Sequence, residues 1–331
     1  MPLTVGLTFD IRARLIPKGA PHDLFAEHDS EETVGLIEEA VISSGRKALR
    51  IGPAKELSRQ LDRTGCDIIF NIAEGRSGRN RESEVPVLLD IAGMPYVGSD
   101  ALTLSAALDK VIAKKVFKYH GIPTPEYAVF DGASGSAGPH PDFPVIVKPR
   151  FEGSAKGIDT GSVVRDEKAL KTAVKKVTGH YGQDALVEEF IDGWEFTVGM
   201  IGNDNPRVFP VVQRHLEAKT GLSSHVLKKE GFDRDKLVYR DLMGIDPALE
   251  AGIADLALKA YRGFECRDFA RMDFRIKKTG RGYKVYMLEI NPLPSLAKDD
   301  YFAMVAELEG LEYPDMINMV LESALRRYKI R

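Results

Sequence analysis

Phe269-Ala270-Arg271-Met272-Asp273-Phe274-Arg275-Ile276-Lys277 and Tyr283-Lys284-Val285-Tyr286-Met287-Leu288-Glu289-Ile290 flank Thr279-Gly280-Arg281-Gly282. The flanks suit strands and the residues between them suit a turn, so the stretch reads as a β-hairpin. Asp273 and Glu289 are equidistant in sequence from Arg281. A turn centred there sets the two carboxylates opposite each other, with about 4.5–5.5 Å between Cβ atoms. Strand alternation then puts Arg271, Asp273, Glu289 and Asn291 on one face. Met272, Phe274, Ile276, Tyr286, Leu288 and Ile290 fall on the other as an apolar layer. Facing carboxylates repel unless something neutralises them. A divalent cation held with help from the Asn291 amide oxygen does so, and hard oxygen ligands of this kind suit Mg²⁺ beside phosphates. The plainer alternative is an Arg271–Asp273 or lysine–glutamate pairing on a solvated face, against which the following Asn291-Pro292 speaks.

Toward the N-terminus, Phe143-Pro144-Val145-Ile146-Val147-Lys148-Pro149 runs into Arg150-Phe151-Glu152-Gly153-Ser154-Ala155-Lys156-Gly157. A strand that ends in lysine and opens into a glycine- and serine-bearing loop suits a phosphate. Glycine lets backbone N–H groups close on the anion, and Lys148 adds charge. The spacing matches neither the P-loop nor the dinucleotide fingerprint, and a plain hairpin loop is an equal alternative on these residues alone. Strands at Pro144–Lys148, Gly161–Val164 and Ala185–Ile191, with a helix marked by Leu170, Val174 and Val177, outline a small middle unit ending at Asp192-Gly193. Residues 214–240 are polar, charged and glycine-containing, and read as a long surface loop of the kind usually kept for function. Met316, Ile317, Val320, Leu321, Ala324 and Leu325 mark an amphipathic closing helix.

The first third alternates strands (Leu3–Phe9, Ala48–Ile51, Asp67–Ile72) with helical stripes (Leu36, Ile37, Ala40, Val41; then Leu57 and Leu61). That alternation predicts an open parallel α/β domain over residues 1–104, followed by units over 105–191 and 192–331. Ligands of such sheets sit beyond the carboxyl ends of strands, so the segments after Phe9 and after Ile72 are candidate substrate loops. The chain has 331 residues, 44% of them apolar and 29% charged, with a formal net charge of −3. It is ample for a buried core, and carries no basic field that would suit nucleic acid. No apolar run is long enough to span a bilayer. The start lacks the features of a secretory signal. Cys66 and Cys266 imply no disulfide framework and fit a reducing cytoplasm.

Together these residues resemble the D-alanine–D-alanine ligase family of ATP-grasp enzymes from about Met94 to about Leu296. The resemblance is carried by Gly93-Met94-Pro95-Tyr96-Val97-Gly98-Ser99, Leu108-Asp109-Lys110, Val145-Ile146-Val147-Lys148-Pro149, Glu152-Gly153-Ser154, Glu195-Phe196-Thr197-Val198, Glu217-Ala218-Lys219, Arg271-Met272-Asp273 and Glu289-Ile290-Asn291-Pro292. It implies a three-domain ATP-grasp fold behind the N-terminal sheet, with residues 105–191 as the central domain and 192–331 carrying the metal site and a lid at 214–240. Lys110, Lys148 and the loop residues Glu152, Gly153 and Ser154 are implied to meet ATP phosphates, with Lys219 folding over them. Glu188, Glu189 and Ile191 would hold adenine and Glu195 the ribose. Asp273, Glu289 and Asn291 match the family's Mg²⁺ ligands, two ions being implied with Mn²⁺ as a substitute. Arg271 matches the arginine that stabilises a tetrahedral oxyanion, Ser154 the serine near the first substrate, and Ser295 offers a backbone N–H to the oxyanion. The implied chemistry is attack of a carboxylate on the γ-phosphate of ATP, then displacement of phosphate from the acyl phosphate by an amine. The resemblance also implies small amino-acid or amine substrates, a cytoplasmic location and a homodimer, with no nucleic-acid or membrane partner.

The substrate half departs from the family pattern. The N-terminal Gly-Gly-x-Ser-x-Glu signature is absent, and the first strand ends Thr8-Phe9-Asp10 with Arg12 and Arg14 beyond. Asn71-Ile72-Ala73-Glu74-Gly75 replaces the family's His-Gly pair, Thr220 its lid tyrosine, and Asp300-Tyr301 its carboxylate-receiving Ser-Leu. Arg12, Arg14, Glu74, Arg76, Arg81, Glu82, Asp300 and Tyr301 are therefore the candidate substrate residues. Three readings compete: a D-alanyl-D-alanine-type ligase, a ligase for another acid and amine, and a Mg-ATP-binding regulator that has lost the chemistry.

Overall fold

The computed structural model describes residues 2–13, 16, 18, 20–131, 139–214, 216, 221–222, 246–280 and 282–330. Arg14, Lys219 and most of the expected 214–240 loop lie outside the described residues. Three sheets organise the rest. In the first, Thr4–Thr8 runs parallel between Lys47–Arg50 and Ile68–Asn71, and Tyr96–Val97 adds to the latter in parallel. This is the open parallel sheet that the alternation predicts. Ser30 caps the helix Glu31–Ser43 by accepting from Thr33 N, with two glutamates in the first turn to meet the helix dipole. Its Val34, Ile37, Ala40 and Val41 are buried against the sheet.

The second sheet is antiparallel, in the order Tyr127–Phe130, Ala185–Glu189, Val145–Pro149, Val163–Val164. The helix Glu167–Tyr181 closes one face through Leu170, Val174 and Val177. The third sheet is built on Phe269–Thr279, which pairs antiparallel with Trp194–Ile201 on one side and Gly282–Asn291 on the other. Phe269 through Ile276 are all buried, as a central strand covered on both faces must be. Ala270, Met272, Phe274 and Ile276 share a core with the helices Pro247–Gly263 and Lys110–Tyr119. The opposite face carries Arg271, Asp273 and Arg275, buried and charged.

The hairpin pairs Asp273 with Glu289 and Arg271 with Asn291, as its sequence predicts. The turn is one step tighter than a centre at Arg281, because Thr279 pairs with Gly282 and Phe274 with Met287. The ladder therefore shifts between Asp273 and Phe274, and Leu288 is the extra residue of a β-bulge. Met287, not Tyr286 or Leu288, consequently fills the apolar layer. Leu288 instead lines the charged side.

The packing crosses the boundaries expected at residues 104 and 191. Helix Lys110–Tyr119 buries Ala113 and Phe117 in the core of the third sheet. The closing helix Tyr313–Tyr328 buries the expected apolar stripe, but against the first sheet and helix Glu31–Ser43. Asp268, fully buried, ties these parts together. It accepts from Gly98 N at 2.8 Å, Asn203 Nδ2 at 2.9 Å and Arg327 Nη2 at 2.6 Å. Asp268→Ala strips a buried cluster of its acceptor and is expected to lower stability by about 3 kcal/mol, read as the shift in urea unfolding midpoint at unchanged slope.

Candidate functional site

The face of the third sheet that carries Arg271, Asp273 and Glu289 looks onto the glycine loop of the second sheet. Between them lies an open cleft, with about 870 Å³ of empty space counting its mouth to solvent. Lys110, Lys148, Glu152 and Ser154 line it, as do Glu188, Glu189, Ile191 and Glu195, and so do Arg271 and Glu289. Ile146, Phe190, Leu222 and Leu288 supply apolar wall. A second cavity of about 640 Å³ adjoins it and shares Lys110, Ser154, Arg271 and Glu289. Glu74, Glu82, Gly153, Asn291, Ser295 and Asp300 line the second cavity, together with Glu27.

Asp273 is fixed from three sides. Thr197 Oγ1 donates to Oδ1 at 2.6 Å, while Arg271 Nη2 and Asn291 Nδ2 donate to Oδ2 at 3.1 and 3.3 Å. Glu289 Oε2 lies 3.4 Å from Lys110 Nζ. Burial alone would raise the Glu289 carboxyl, but Lys110, Lys148 and Arg271 outweigh it and hold it well below the ordinary carboxylate range. Both cation pairings that the sequence offered as the plain alternative are thus present, yet on a buried face rather than a solvated one. The donor set suits a hard divalent ion: two carboxylates and an amide at the inner end of a polar cleft. Arg271 is more than nine-tenths buried there, and its Nε has no hydrogen-bond partner.

Lys110 is placed by the start of its helix. Asp109 caps it by accepting from Val111 N and Ile112 N, and holds Arg150 at the mouth of the glycine loop through two contacts of 2.8 Å. Lys110 Nζ then donates to Glu152 O at 2.6 Å. On the floor of the cleft, Glu188 Oε2 lies 3.1 Å from Lys148 Nζ and 2.9 Å from Lys114 Nζ as an ion pair, and Lys148 donates to Oε1 at 3.2 Å. Burial would raise the Glu188 carboxyl, but the two ammonium groups outweigh it and hold it low. Glu195 is clamped by Arg275 at 3.0 Å.

Glu27 reaches the glycine loop from the segment after the first strand. It accepts from Gly153 N at 2.7 Å and Lys156 Nζ at 2.9 Å, and pairs with Arg81. A Cβ at Gly153 would stand 2.6 Å from the Glu27 oxygen, so only glycine permits the contact. Asp23 does likewise, accepting from Gly157 N and Tyr181 Oη. Ser154 and Ala155 sit at φ 48° and 57°, a costly backbone that presents both residues to the cleft.

The structure separates the expected substrate residues. Glu74, Glu82 and Asp300 line the second cavity. Arg81 stands behind it, 2% exposed, donating to Phe151 O at 2.6 Å. Arg76 is exposed and lines neither cavity. Arg12 lines neither and donates to His28 O at 3.3 Å. Tyr301 is a core residue: its hydroxyl donates to Pro210 O and accepts from Gly199 N, each at 2.8 Å. Glu27, Lys114, Arg275 and Arg214, which stands 3.8 Å from both Asp273 and Glu195, are among the site residues that the sequence did not single out.

Residues 116–322 match the family model described as D-ala D-ala ligase C-terminus. An uncharacterized protein of Sinorhizobium fredii, y4sG, is 33% identical over 296 residues, covering 88% of this chain and 84% of its own. A D-alanine–D-alanine ligase of Syntrophotalea carbinolica is 32% identical over 305 residues, covering 92% of this chain and 94% of its own. The crystal structure of the Bacillus anthracis D-alanine–D-alanine ligase complexed with ATP shares the fold, with a TM-score of 0.72 at 19% identity over 99% of each chain. No helix among the described residues is long and apolar enough to cross a membrane.

Glu188→Gln leaves Lys114 and Lys148 buried without a counter-ion and is expected to cost about 3 kcal/mol near pH 7. The Glu188 carboxyl titrates below its ordinary 4.5 in the fold, so its contribution is complete above pH 4.5 and is lost as pH falls through the folded value. Urea unfolding of wild type and variant across pH should show the gap narrowing below pH 4.5.

Proposed function

The chain belongs to the D-alanine–D-alanine ligase family, and from that premise we propose that its joined cavities carry out ATP-dependent joining of a carboxylate to an amine. The observation that carries the proposal is the junction: Lys110, Ser154, Arg271 and Glu289 belong to both cavities, so a phosphoryl group in one and a carboxylate in the other meet at the same four side chains.

In the first cavity Lys148 and Lys110 take the phosphates of ATP, with the backbone of the glycine loop beside them. Glu188, Glu189 and Ile191 receive the adenine edge, and Glu195, clamped by Arg275, the ribose hydroxyls. Asp273, Glu289 and Asn291 would hold Mg²⁺, two ions with Mn²⁺ as a substitute. Bound there, the metal supplies charge neutralisation along the phosphate chain. A substrate carboxylate in the second cavity attacks the γ-phosphorus, the bond to the β-phosphate oxygen breaks, and ADP leaves. The amine of the second substrate then adds to the acyl carbon. Arg271 faces the oxygen that becomes negative, and the Ser295 backbone N–H stands on the same cavity wall. Collapse expels phosphate, and the amine's proton leaves with it or to water.

The substrate pair is a separate matter from the chemistry. Glu74, Glu82 and Asp300 crowd the second cavity with acids, which favours an acid–amine pair other than two molecules of D-alanine. The substrates are small molecules, and ATP is drawn from the cytoplasm. Phosphate release from Mg-ATP, screened over acid–amine pairs, tests the reaction, and hydroxylamine should trap the acyl phosphate as a hydroxamate. Asp273→Asn and Glu289→Gln are each expected to cut kcat by about 10²-fold or more with unchanged circular dichroism. A folded, ATP-binding preparation that releases no phosphate with any pair refutes the proposal.

A further inference from the structure

Glu27, Glu74 and Glu82 come from three separate stretches of chain, yet each offers a carboxylate oxygen within 4.8 Å of the other two. All three line the second cavity. Their compensation inside the protein is incomplete. Arg81 and Lys156 both pair with Glu27, Lys156 also serves Glu152, and Arg81 stands 3.7 Å from Glu82. Among the described residues, Glu74 has no hydrogen bond or ion pair within salt-bridge distance. The other cations of the cavity are engaged elsewhere, Lys110 with Glu289 and Arg271 with Asp273. The four carboxylates Glu27, Glu74, Glu82 and Glu152 therefore face two cations, Arg81 and Lys156, leaving two negative charges over.

Burial and the repulsion of Glu82 and Glu27 push the Glu74 carboxyl well above its ordinary value. Burial, against the pull of Arg81, moves Glu82 up to about 7. Alone, the cluster keeps protons that a positive guest would replace. A tetrahedral nitrogen with N–H···O contacts of ~2.8 Å holds its acceptors about 4.6 Å apart, so one ammonium group can span the three nearest oxygens; a second is called for by the charge that remains. A second, independent feature of the cavity asks for the opposite charge. Arg271, more than nine-tenths buried, lines the same cavity; Asp273 takes one of its terminal nitrogens and Asp300 stands 3.7 Å from the other, but its Nε has no hydrogen-bond partner among the described residues. That is a place for a substrate carboxylate.

We infer, resting on the ligase reading above, that the second cavity selects a diamino acid: its carboxylate lies at Arg271 beside the phosphoryl-transfer centre, and its two ammonium groups lie among Glu27, Glu74 and Glu82. An alanine-sized substrate brings one positive charge, so one acid of the cluster stays protonated with its O–H unpaired, and an unpaired buried polar group is how a site rejects the wrong ligand. The selectivity lies in the charge count rather than in the size of the pocket.

The test uses the full chain with Mg-ATP and initial rates of phosphate release. The panel holds 2,3-diaminopropionate, 2,4-diaminobutyrate, ornithine and lysine of either hand, set against alanine, serine and 2-aminobutyrate. The expected result is a kcat/KM for a diamino acid at least 10²-fold above that of its neutral counterpart. Glu74→Gln and Glu82→Gln, checked for folding by thermal melts, should each raise KM for the diamino acid at least tenfold while the KM for ATP stays put. Turnover confined to neutral amino acids, or equal in the two groups, overturns the diamino-acid assignment and leaves the ligase reading standing. A divalent cation that copurifies with the wild type and is lost from Glu74→Gln in elemental analysis also overturns it, since the cluster would then be a metal site. Binding of ATP without turnover on any member of a wider acid–amine screen defeats the ligase reading and this assignment with it.

Discussion

Two carboxylates held face to face across a strand pair, Asp273 buried and Glu289 half-buried, are the constraint around which the rest is arranged. Asp273 and Glu289 are paired across the ladder, where their repulsion would be severe without positive charge nearby. The protein answers with groups drawn from three separate stretches of chain: Arg271 from the same strand, Lys110 from a helix start, Lys148 from the second sheet. Each of these cations reaches the pair only when the second and third sheets sit where they do. On the proposed reading the same cations serve the triphosphate. The electrostatic demand of the hairpin and the demand of the nucleotide are thus met by one set of side chains.

Much of this arrangement is visible in the amino-acid order, because it rests on local counting. Strand alternation puts Arg271, Asp273, Glu289 and Asn291 together, and the structure pairs them. The parallel first sheet follows from alternating apolar runs and amphipathic helices. The bulge does not follow, since a Thr279–Gly282 pairing and an Asp273–Glu289 pairing imply registers one residue apart, and only the three-dimensional ladder shows both holding through an extra Leu288. Lys114 reads as one more solvated helix lysine, although it stands four residues after Lys110 and is fully buried on Glu188. Glu27 sits in a segment without periodicity, and its partners Gly153 and Lys156 are remote in sequence, so nothing local marks it. Tyr301 fails for the converse reason. Its neighbour Asp300 does line a cavity, but the Tyr301 ring packs where a Cβ at Gly199 would stand 2.4 Å away, and helix periodicity turns it inward.

The acids of the second cavity show how a shared fold can be re-addressed. On the ligase reading, the first cavity with Lys110, Lys148 and Glu289 is the nucleotide half. The half beyond Arg271 replaces the family's N-terminal signature with Glu74 and Glu82 from the first sheet's loops and Glu27 from the segment after its first strand. Such loops change freely because they carry no ladder hydrogen bonds, whereas the strands beneath them cannot.

The grip of Glu27 on the glycine loop has a kinetic meaning. With the amide of Gly153 and the ammonium of Lys156 already given to Glu27, the loop arrives at its task with a resident anion of its own. A phosphate oxygen that settles on those donors does not fill a vacancy; it evicts a tenant. On the ligase reading such a swap exchanges one anion for another on the same donors, so the loop is held in shape before its guest arrives.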